Sequence, residues 1–141
     1  TIGHVAYHLP EARLLFSADS LMSLGCGRLF EGTPAQMLDT LTRLAALPGE
    51  TQVCSGHEYT ETNARFARGV DPENAALAAR ADRVADLRAE GRPTVPATLA
   101  EECATNPFLR ADALELRRAV GMETAGDLEV FAHVRRLRDA F

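Results

Sequence analysis

The spacing of apolar residues changes near residue 58, and this change constrains the fold more than any other feature of the sequence. Before it, three short apolar runs are typical of strands, and one apolar stripe has helical spacing. After it, the helical spacing continues to the C-terminus. The sequence therefore predicts a mixed α/β part over residues 1–57 and an all-helical part over residues 58–141.

The predicted elements are bounded by capping and turn residues. Strands are expected at 4–9, 13–18 and 52–55, and residues 20–33 are expected to form a loop punctuated by glycines. Capping sequences open two of the helices, since each pairs a threonine with a Gln or Glu three positions later. The predicted helices are one from Thr33 to a stop at Pro48-Gly49, one at 58–68, a long one capped by residues 71–74 and running to Glu90, a short one opened by Thr98, and two at 111–120 and 127–140.

Length and composition narrow the class of protein. The 141 residues suit one domain, or one and a half small ones, and 46% apolar residues suffice for a core. The sequence contains no apolar run of membrane-spanning length and no signal-peptide pattern, so it predicts neither a membrane span nor export. Since the chain opens directly on strand-like sequence without a Met, we expect its N-terminus to be a cut.

Charge and cysteine content point to a cytoplasmic protein that does not bind nucleic acid. The net charge is −5, which argues against a polyanionic partner. The three cysteines are too few and too scattered for a disulfide framework, so a reducing compartment is expected. All fifteen basic residues are arginines, and each can therefore bind a carboxylate through two parallel hydrogen bonds.

Asp19 and His57 each follow a predicted buried strand. Strand ends are where an α/β scaffold points side chains at a shared ligand, and a carboxylate can bridge two cations. Each residue also has a structural interpretation, Asp19 as a cap on a neighbouring loop and His57 as a hydrogen-bonded structural histidine. Two protein ligands rarely hold a catalytic metal, so the chain is predicted to carry half of a metal site.

Four further residues are candidates for binding an anionic substrate. Arg28 lies in the glycine-rich loop, where an exposed salt bridge is the alternative. Arg135 and Arg138 share one helical face, either as a clamp for an anion or as a solvated helix end. Tyr59 follows His57 closely and could donate a hydrogen bond into the same site or pack against it.

Several motifs occur in an order that resembles the glyoxalase II family, the hydroxyacylglutathione hydrolases. The resemblance covers the whole chain and includes the segments 25–33, 54–60, 93–96 and 106–110. It implies an α/β fold, the C-terminal half of an αββα metallo-β-lactamase sandwich over residues 1–57. The all-helical domain of the family would then cover residues 58–141.

The resemblance also implies an activity and roles for individual residues. The reaction would be hydrolysis of the thioester of S-D-lactoylglutathione to D-lactate and glutathione. A hydroxide bridging two divalent metal ions, zinc, iron or manganese, would attack the thioester. Asp19 would bridge the ions and His57 would bind one of them. Glutathione would be held by Arg28, Tyr59, Arg135 and Arg138, and by Phe30 in place of a tyrosine whose hydroxyl contact it lacks.

The family's His-rich metal motif would lie before Thr1, and the resemblance gives His4 no metal role. We therefore expect little activity from the chain alone, and a partner covering its sheet, either an N-terminal half or a second chain. Two alternatives remain open at this stage. One is a non-catalytic fragment that binds glutathione or self-associates. The other is a metallo-β-lactamase-fold thioesterase for a different thiol.

Overall fold

The computed structural model describes residues 3–141 and has a mixed α/β architecture with a small sheet. Within this range the strands are β1 (Tyr7–Leu9), β2 (Leu14–Ala18), β3 (Leu21–Met22), β4 (Gly25–Cys26), β5 (Gln52–Ser55) and β6 (Ala97–Thr98). Six helices accompany them: α1 (Pro34–Ala45), α2 (Thr60–Val70), α3 (Ala75–Ala89), α4 (Leu99–Thr105), α5 (Leu114–Ala119) and α6 (Asp127–Ala140). A single 3₁₀ helix, Pro107–Leu109, follows α4.

The main sheet has the strand order β1-β2-β5-β6, and its central pair, β2 and β5, is parallel. Leu15 lies opposite Val53 in this pair, and both side chains are buried. The amide of Gly56 donates to the carbonyl oxygen of Ala18 at 3.1 Å, which continues the pairing beyond the strands. Because parallel strands end at the same sheet edge, the residues that follow β2 and β5 are brought side by side.

Local capping chemistry explains where three helices begin. Thr33 and Gln36 form a complete capping box at α1, and Pro34 occupies the first turn. Asn74 accepts from the amide of Leu77 at α3, and Thr98 accepts from that of Glu101 at α4. These predicted starts are confirmed.

Two predicted helices are shorter at their N-termini than the apolar spacing indicates. Helix α2 begins at Thr60 rather than at 58, because both carboxylate oxygens of Glu58 accept hydrogen bonds from Thr94. Helix α5 begins at Leu114 rather than at 111, after a turn closed by the amide of Ala113 on the carbonyl of Arg110. In α2 a contact 36 positions away overrides the periodic pattern, and in α5 a local turn does so.

The prediction of a loop throughout residues 20–33 is wrong for its first part. β3 and β4 form a short antiparallel hairpin whose residues 21–26 are all buried. A second difference is β6, two residues from the helical part that pair antiparallel with β5. Two-residue strands carry too little periodicity to be recognised in a sequence, so both arise from packing.

One apolar core joins the two parts of the chain. Leu15, Leu41 and Val53 from the first part pack in the same cluster as Phe108 and Phe131 from the second. The domain boundary near residue 58 stays a prediction. Within residues 3–141, the helices are all too short or too polar to cross a membrane.

One face of the sheet carries exposed apolar side chains. Tyr7 and Phe16 lie opposite each other on β1 and β2, and both are exposed, as is Leu9. Soluble proteins seldom leave large adjacent apolar side chains uncovered without a partner.

Candidate functional site

A cavity of about 650 Å³ opens where β2 and β5 end, beside the glycine-rich segment after β4 and the C-terminal part of α6. Every site residue predicted from the sequence lines this cavity: Asp19, Arg28, Phe30, His57, Tyr59, Arg135 and Arg138. Residues more than 100 positions apart in sequence therefore meet at one concave surface, which is the usual form of a small-molecule site.

Asp19 and His57 face each other across the sheet edge. The distance from Asp19 Oδ1 to His57 Nε2 is 3.3 Å, and about half of each side chain is exposed. The His57 ring stacks on that of Tyr59, with 4.9 Å between centroids and 13° between planes. A carboxylate oxygen and an imidazole nitrogen that are this close and solvent-accessible are a suitable pair of ligands for a borderline divalent metal ion.

Two glycines allow the backbone to close around Asp19. A Cβ on Gly27 would overlap the carbonyl oxygen of Asp19, and one on Gly56 would lie 3.0 Å from its Oδ1. Gly25 is required for a different reason, because a Cβ at this position would lie 2.6 Å from Asn63 Nδ2. A side chain at Gly27 would therefore displace the backbone of Asp19, and one at Gly56 would crowd its carboxylate.

Asp19 and His57 are not joined by further ligands within the described part of the chain. Between Gly3 and Phe141, no group of three or more His, Cys, Asp or Glu residues could hold a metal ion. Cys26 lines the cavity, but burial raises the pKa of its thiol to about 11 despite the nearby Arg135. Because metals bind the thiolate, Cys26 is a packing residue here.

Arg135 is buried and largely occupied by the protein itself. Its Nη1 donates to the carbonyl oxygens of Cys26 at 2.9 Å and Gly27 at 3.4 Å, and its guanidinium lies 5.0 Å from the centre of the Phe108 ring. Its Nη2 donates to Asp139 at 2.8 Å. Arg135 thus ties the end of α6 to the segment after β4.

Arg138 retains donors that face the cavity. Its Nη2 donates to the Oδ1 of Asn63 at 3.1 Å, and its guanidinium lies within 6 Å of the Phe66 and Phe141 ring centres. Partial burial, together with the positive charges of Arg135 and Arg28, lowers the pKa of Arg138. The guanidinium stays protonated at neutral pH, and an anionic ligand would relieve this repulsion.

Arg28 and Phe30 form the outer wall. The side chain of Arg28 is 61% exposed, and its Nε lies 3.7 Å from Asp139 Oδ1. Phe30 is 81% exposed. An aromatic side chain that solvent-accessible contributes little to the stability of the fold.

Glu58 lies next to His57 but is directed away from the Asp19–His57 pair. One carboxylate oxygen accepts from the amide of Thr94 at 2.9 Å and the other from its hydroxyl. Burial acts to raise the pKa of Glu58, but the hydrogen bonds from Thr94 outweigh it and hold the pKa below its usual value. Glu58 therefore anchors the turn that carries His57 to residues 93–96.

The sequence analysis did not predict a buried polar cluster that lies beneath the β3–β4 hairpin. We name it the hairpin clamp; it consists of Arg80, Glu102 and Asn106. Glu102 pairs with the Nη2 of Arg80 and accepts from the amide of Leu24 at 2.9 Å. Asn106 Nδ2 donates to the carbonyl oxygens of Met22 and Gly25 at 3.2 and 3.0 Å.

The remaining donors of Arg80 reach the hydroxyls of Thr105 at 2.7 Å and Ser23 at 2.9 Å. The hairpin clamp therefore supports the segment that lines the cavity. One signal in the sequence could have revealed it. Arg80 falls between Leu77 and Val84 on the apolar stripe of α3, and a charge there requires a buried partner.

Comparison with known proteins identifies the family. Residues 58–141 match the family model described as the C-terminus of hydroxyacylglutathione hydrolase. The whole chain is 63% identical to a protein of that name from Rhodobacter capsulatus, over 56% of the relative's length. It is 58% identical to one from Ruegeria pomeroyi and 56% identical to one from Cereibacter sphaeroides, over 55% of the length of each. The chain thus spans just over half the length of these relatives. On this likeness, which confirms the resemblance inferred from the motifs, the chain belongs to the hydroxyacylglutathione hydrolase family.

Proposed function

We propose that the chain is the C-terminal part of a thioester hydrolase. The enzyme would convert S-(2-hydroxyacyl)glutathione, with S-D-lactoylglutathione as the main substrate, to a 2-hydroxy acid and glutathione. The observation that carries the proposal is the convergence of the Asp19–His57 pair, 3.3 Å apart, with three arginines around one cavity. The name shared by relatives at 56–63% identity supports the same reaction class.

The proposed architecture is the C-terminal half of an αββα metallo-β-lactamase sandwich, followed by a helical domain. Its support is the parallel β2–β5 pair and the exposed Tyr7, Leu9 and Phe16, which would be covered by the rest of the sandwich. A preceding half of similar size would also account for the fraction of the relatives that the chain leaves unmatched.

Asp19 and His57 would hold divalent metal ions, with Asp19 bridging two of them and zinc, iron or manganese as candidates. Such ions, when bound, activate water near neutral pH and stabilise negative charge on a carbonyl oxygen. The remaining ligands would come from outside residues 3–141. Within this chain, Gly27 and Gly56 fix the position of Asp19, and stacking on Tyr59 fixes the ring of His57.

The arginines and Tyr59 would hold the glutathione part of the substrate. Arg28 and Arg138 would bind its carboxylates through charge-assisted hydrogen bonds, and Tyr59 would add a hydroxyl donor. Arg135 would contribute positive charge and hold the cavity wall. Phe30 would cover the tripeptide without a hydroxyl contact. Binding remote from the thioester would then be used to orient the reacting carbonyl.

A second candidate is a module that binds glutathione without hydrolysing it. It is favoured by one observation: in the range 3–141 only two metal-ligand candidates converge, whereas three arginines line the cavity. The two candidates differ in turnover rather than in affinity, so one experiment separates them.

The test combines this chain with the part of the Rhodobacter capsulatus relative that precedes the matched region. The two polypeptides are coexpressed, and hydrolysis of S-D-lactoylglutathione is followed through thiol release and D-lactate formation. We expect turnover and bound metal with the wild-type chain, and loss of both with Asp19→Ala. Turnover and metal content that are unchanged in Asp19→Ala would refute the proposed bridging role.

The chain alone provides the discriminating control. Isothermal titration with glutathione measures binding, and metal analysis beside an intact mass spectrum measures occupancy. Binding without turnover, even after coexpression, would favour the non-catalytic module. A catalytically active chain with two metals and the mass of this sequence would overturn the proposed need for a preceding half.

A further inference from the structure

One carboxylate stands behind the arginines of the cavity. Asp139 Oδ1 accepts from Arg135 Nη2 at 2.8 Å and lies 3.7 Å from Arg28 Nε. The Asp139 side chain is 44% exposed, yet it is not among the residues that line the cavity. It is therefore a counter-ion beside the guanidinium groups and outside the lining of the cavity.

The three arginines are close enough to repel one another, so the negative charge of Asp139 affects them. Arg28, Arg135 and Arg138 all line the same cavity, and Asp139 pairs with two of them, at 2.8 Å from Arg135 and 3.7 Å from Arg28. Burial and the charges of Arg135 and Arg28 lower the pKa of Arg138, whereas Asp139 acts in the opposite direction. The charge of Asp139 is thus felt by all three arginines.

We propose that Asp139 lowers the anion affinity of the cavity, because its negative charge offsets the positive charges of Arg28 and Arg135. The identity of the ligand as glutathione rests on the proposed function. The effect of Asp139 on anion affinity does not, since any anion that enters the cavity would meet the same charges.

The direction of the change in anion affinity depends on whether each arginine keeps its position when residue 139 is neutral. Arg135 keeps its bonds to the carbonyl oxygens of Cys26 and Gly27 and its position over the Phe108 ring, so it stays in place. Arg28 loses only a long, exposed ion pair, and such pairs contribute little to side-chain position. The dominant change is therefore one fewer negative charge behind the binding surface.

Asp139→Asn is the sharpest variant because it keeps the shape and a hydrogen-bond acceptor for Arg135. We expect it to bind glutathione about fivefold more tightly at low salt, since the cavity gains a net positive charge. The gain should shrink as salt rises. Asp82→Asn on the exposed face of α3 makes the same charge change away from the cavity and should leave affinity unchanged.

The experiment titrates the whole chain, its Asp139→Asn and Asp139→Ser variants and the Asp82→Asn control. Calorimetry with glutathione gives affinities at low and high salt, and side-chain Nε–Hε NMR signals of the arginines report which guanidinium responds. Inorganic sulfate is titrated as a second anion. Circular dichroism confirms that each variant is folded, and the Asp139→Ser variant replaces Asp139→Asn if the latter is not.

Tighter binding of either anion by the Asp139 variants, with a steeper salt dependence and no change in Asp82→Asn, supports the proposal. Weaker or equal binding of both anions overturns it. If the wild-type chain binds sulfate but not glutathione, the proposed substrate is contradicted. The role of Asp139 is then tested by comparing the sulfate affinities of the variants. The two failures are therefore distinguishable.

Discussion

The hairpin clamp and the cavity wall both set arginines against polar partners, but they differ in how completely the donors are used. Arg80 in the clamp is 2% exposed and contacts Glu101, Glu102, Thr105 and Ser23. Arg28 on the wall is 61% exposed, with one long ion pair. The guanidinium of Arg80 therefore has no donors available to a ligand, whereas most donors of Arg28 remain available.

The comparison shows how one residue type serves two purposes. A buried, fully paired arginine specifies where the hairpin lies, because removing a partner would strand a charge in the interior. A half-paired arginine at a cavity contributes little to folding and is available for recognition. Arg135 lies between the two, since it is buried and mostly paired but touches the cavity.

The largest effect is expected from breaking the hairpin clamp. Glu102→Ala removes the fully buried carboxylate partner of Arg80, leaves only its longer contact with Glu101, and should lower the free energy of unfolding by about 3–5 kcal/mol. Urea denaturation measures this loss in the free energy of unfolding. The matched control is Glu90→Ala, which removes an exposed partner of Arg92 and should cost less than about 1 kcal/mol. Equal losses in the two variants would contradict the distinction between clamp and surface.

The next effect tests the close packing around Asp19. In Gly27→Ala the new methyl group overlaps the Asp19 carbonyl, so we expect a loss of about 1–3 kcal/mol from overpacking. Gly69→Ala in α2 is the control, because its Cβ meets nothing within 4 Å and alanine favours a helix, which should stabilise by up to about 1 kcal/mol. Thermal unfolding compares the two, and a neutral Gly27→Ala would show that the loop adjusts freely.

Substituting the cavity wall should change binding more than folding. Arg138→Ala removes a donor that faces the cavity, and we expect glutathione affinity to fall about tenfold. Stability should change little, since within residues 3–141 its hydrogen bonding to protein consists of the bond to Asn63. Arg136→Ala, exposed on the same helix, is the control in the same calorimetric titration. Equal affinities of the two variants would place glutathione elsewhere.

The smallest effect concerns the Glu58–Thr94 contact. Because folding lowers the pKa of Glu58, the contact stabilises the protein above the ordinary carboxyl pKa of about 4.5, and this stability is lost as pH falls through the lowered value. Glu58→Gln should remove that part of the pH dependence. Since the carboxylate is exposed, we expect less than about 1 kcal/mol, measured as melting temperature against pH in parallel with wild type.

Local chemistry could be predicted well, and long-range pairing could not. The capping residues Thr33, Asn74 and Thr98 act on amides three positions away, so their helices could be located without a partner. The hairpin at 21–26 could not, because its polar groups are satisfied by Asn63, Arg80, Glu102 and Asn106, which lie about 40 to 85 positions later.

The amino-acid order by itself determined the change from strand to helical spacing near residue 58, the three capped helix starts and the presence of Asp19 and His57 at strand ends. Only the tertiary structure decided that these two side chains meet at 3.3 Å, that Arg135 is held by the cavity wall and that Asp139 stands behind it. The physical reason is the distance along the chain over which each interaction acts. Capping and periodicity act within a few residues, whereas burial and pairing of charges depend on which distant segments pack together.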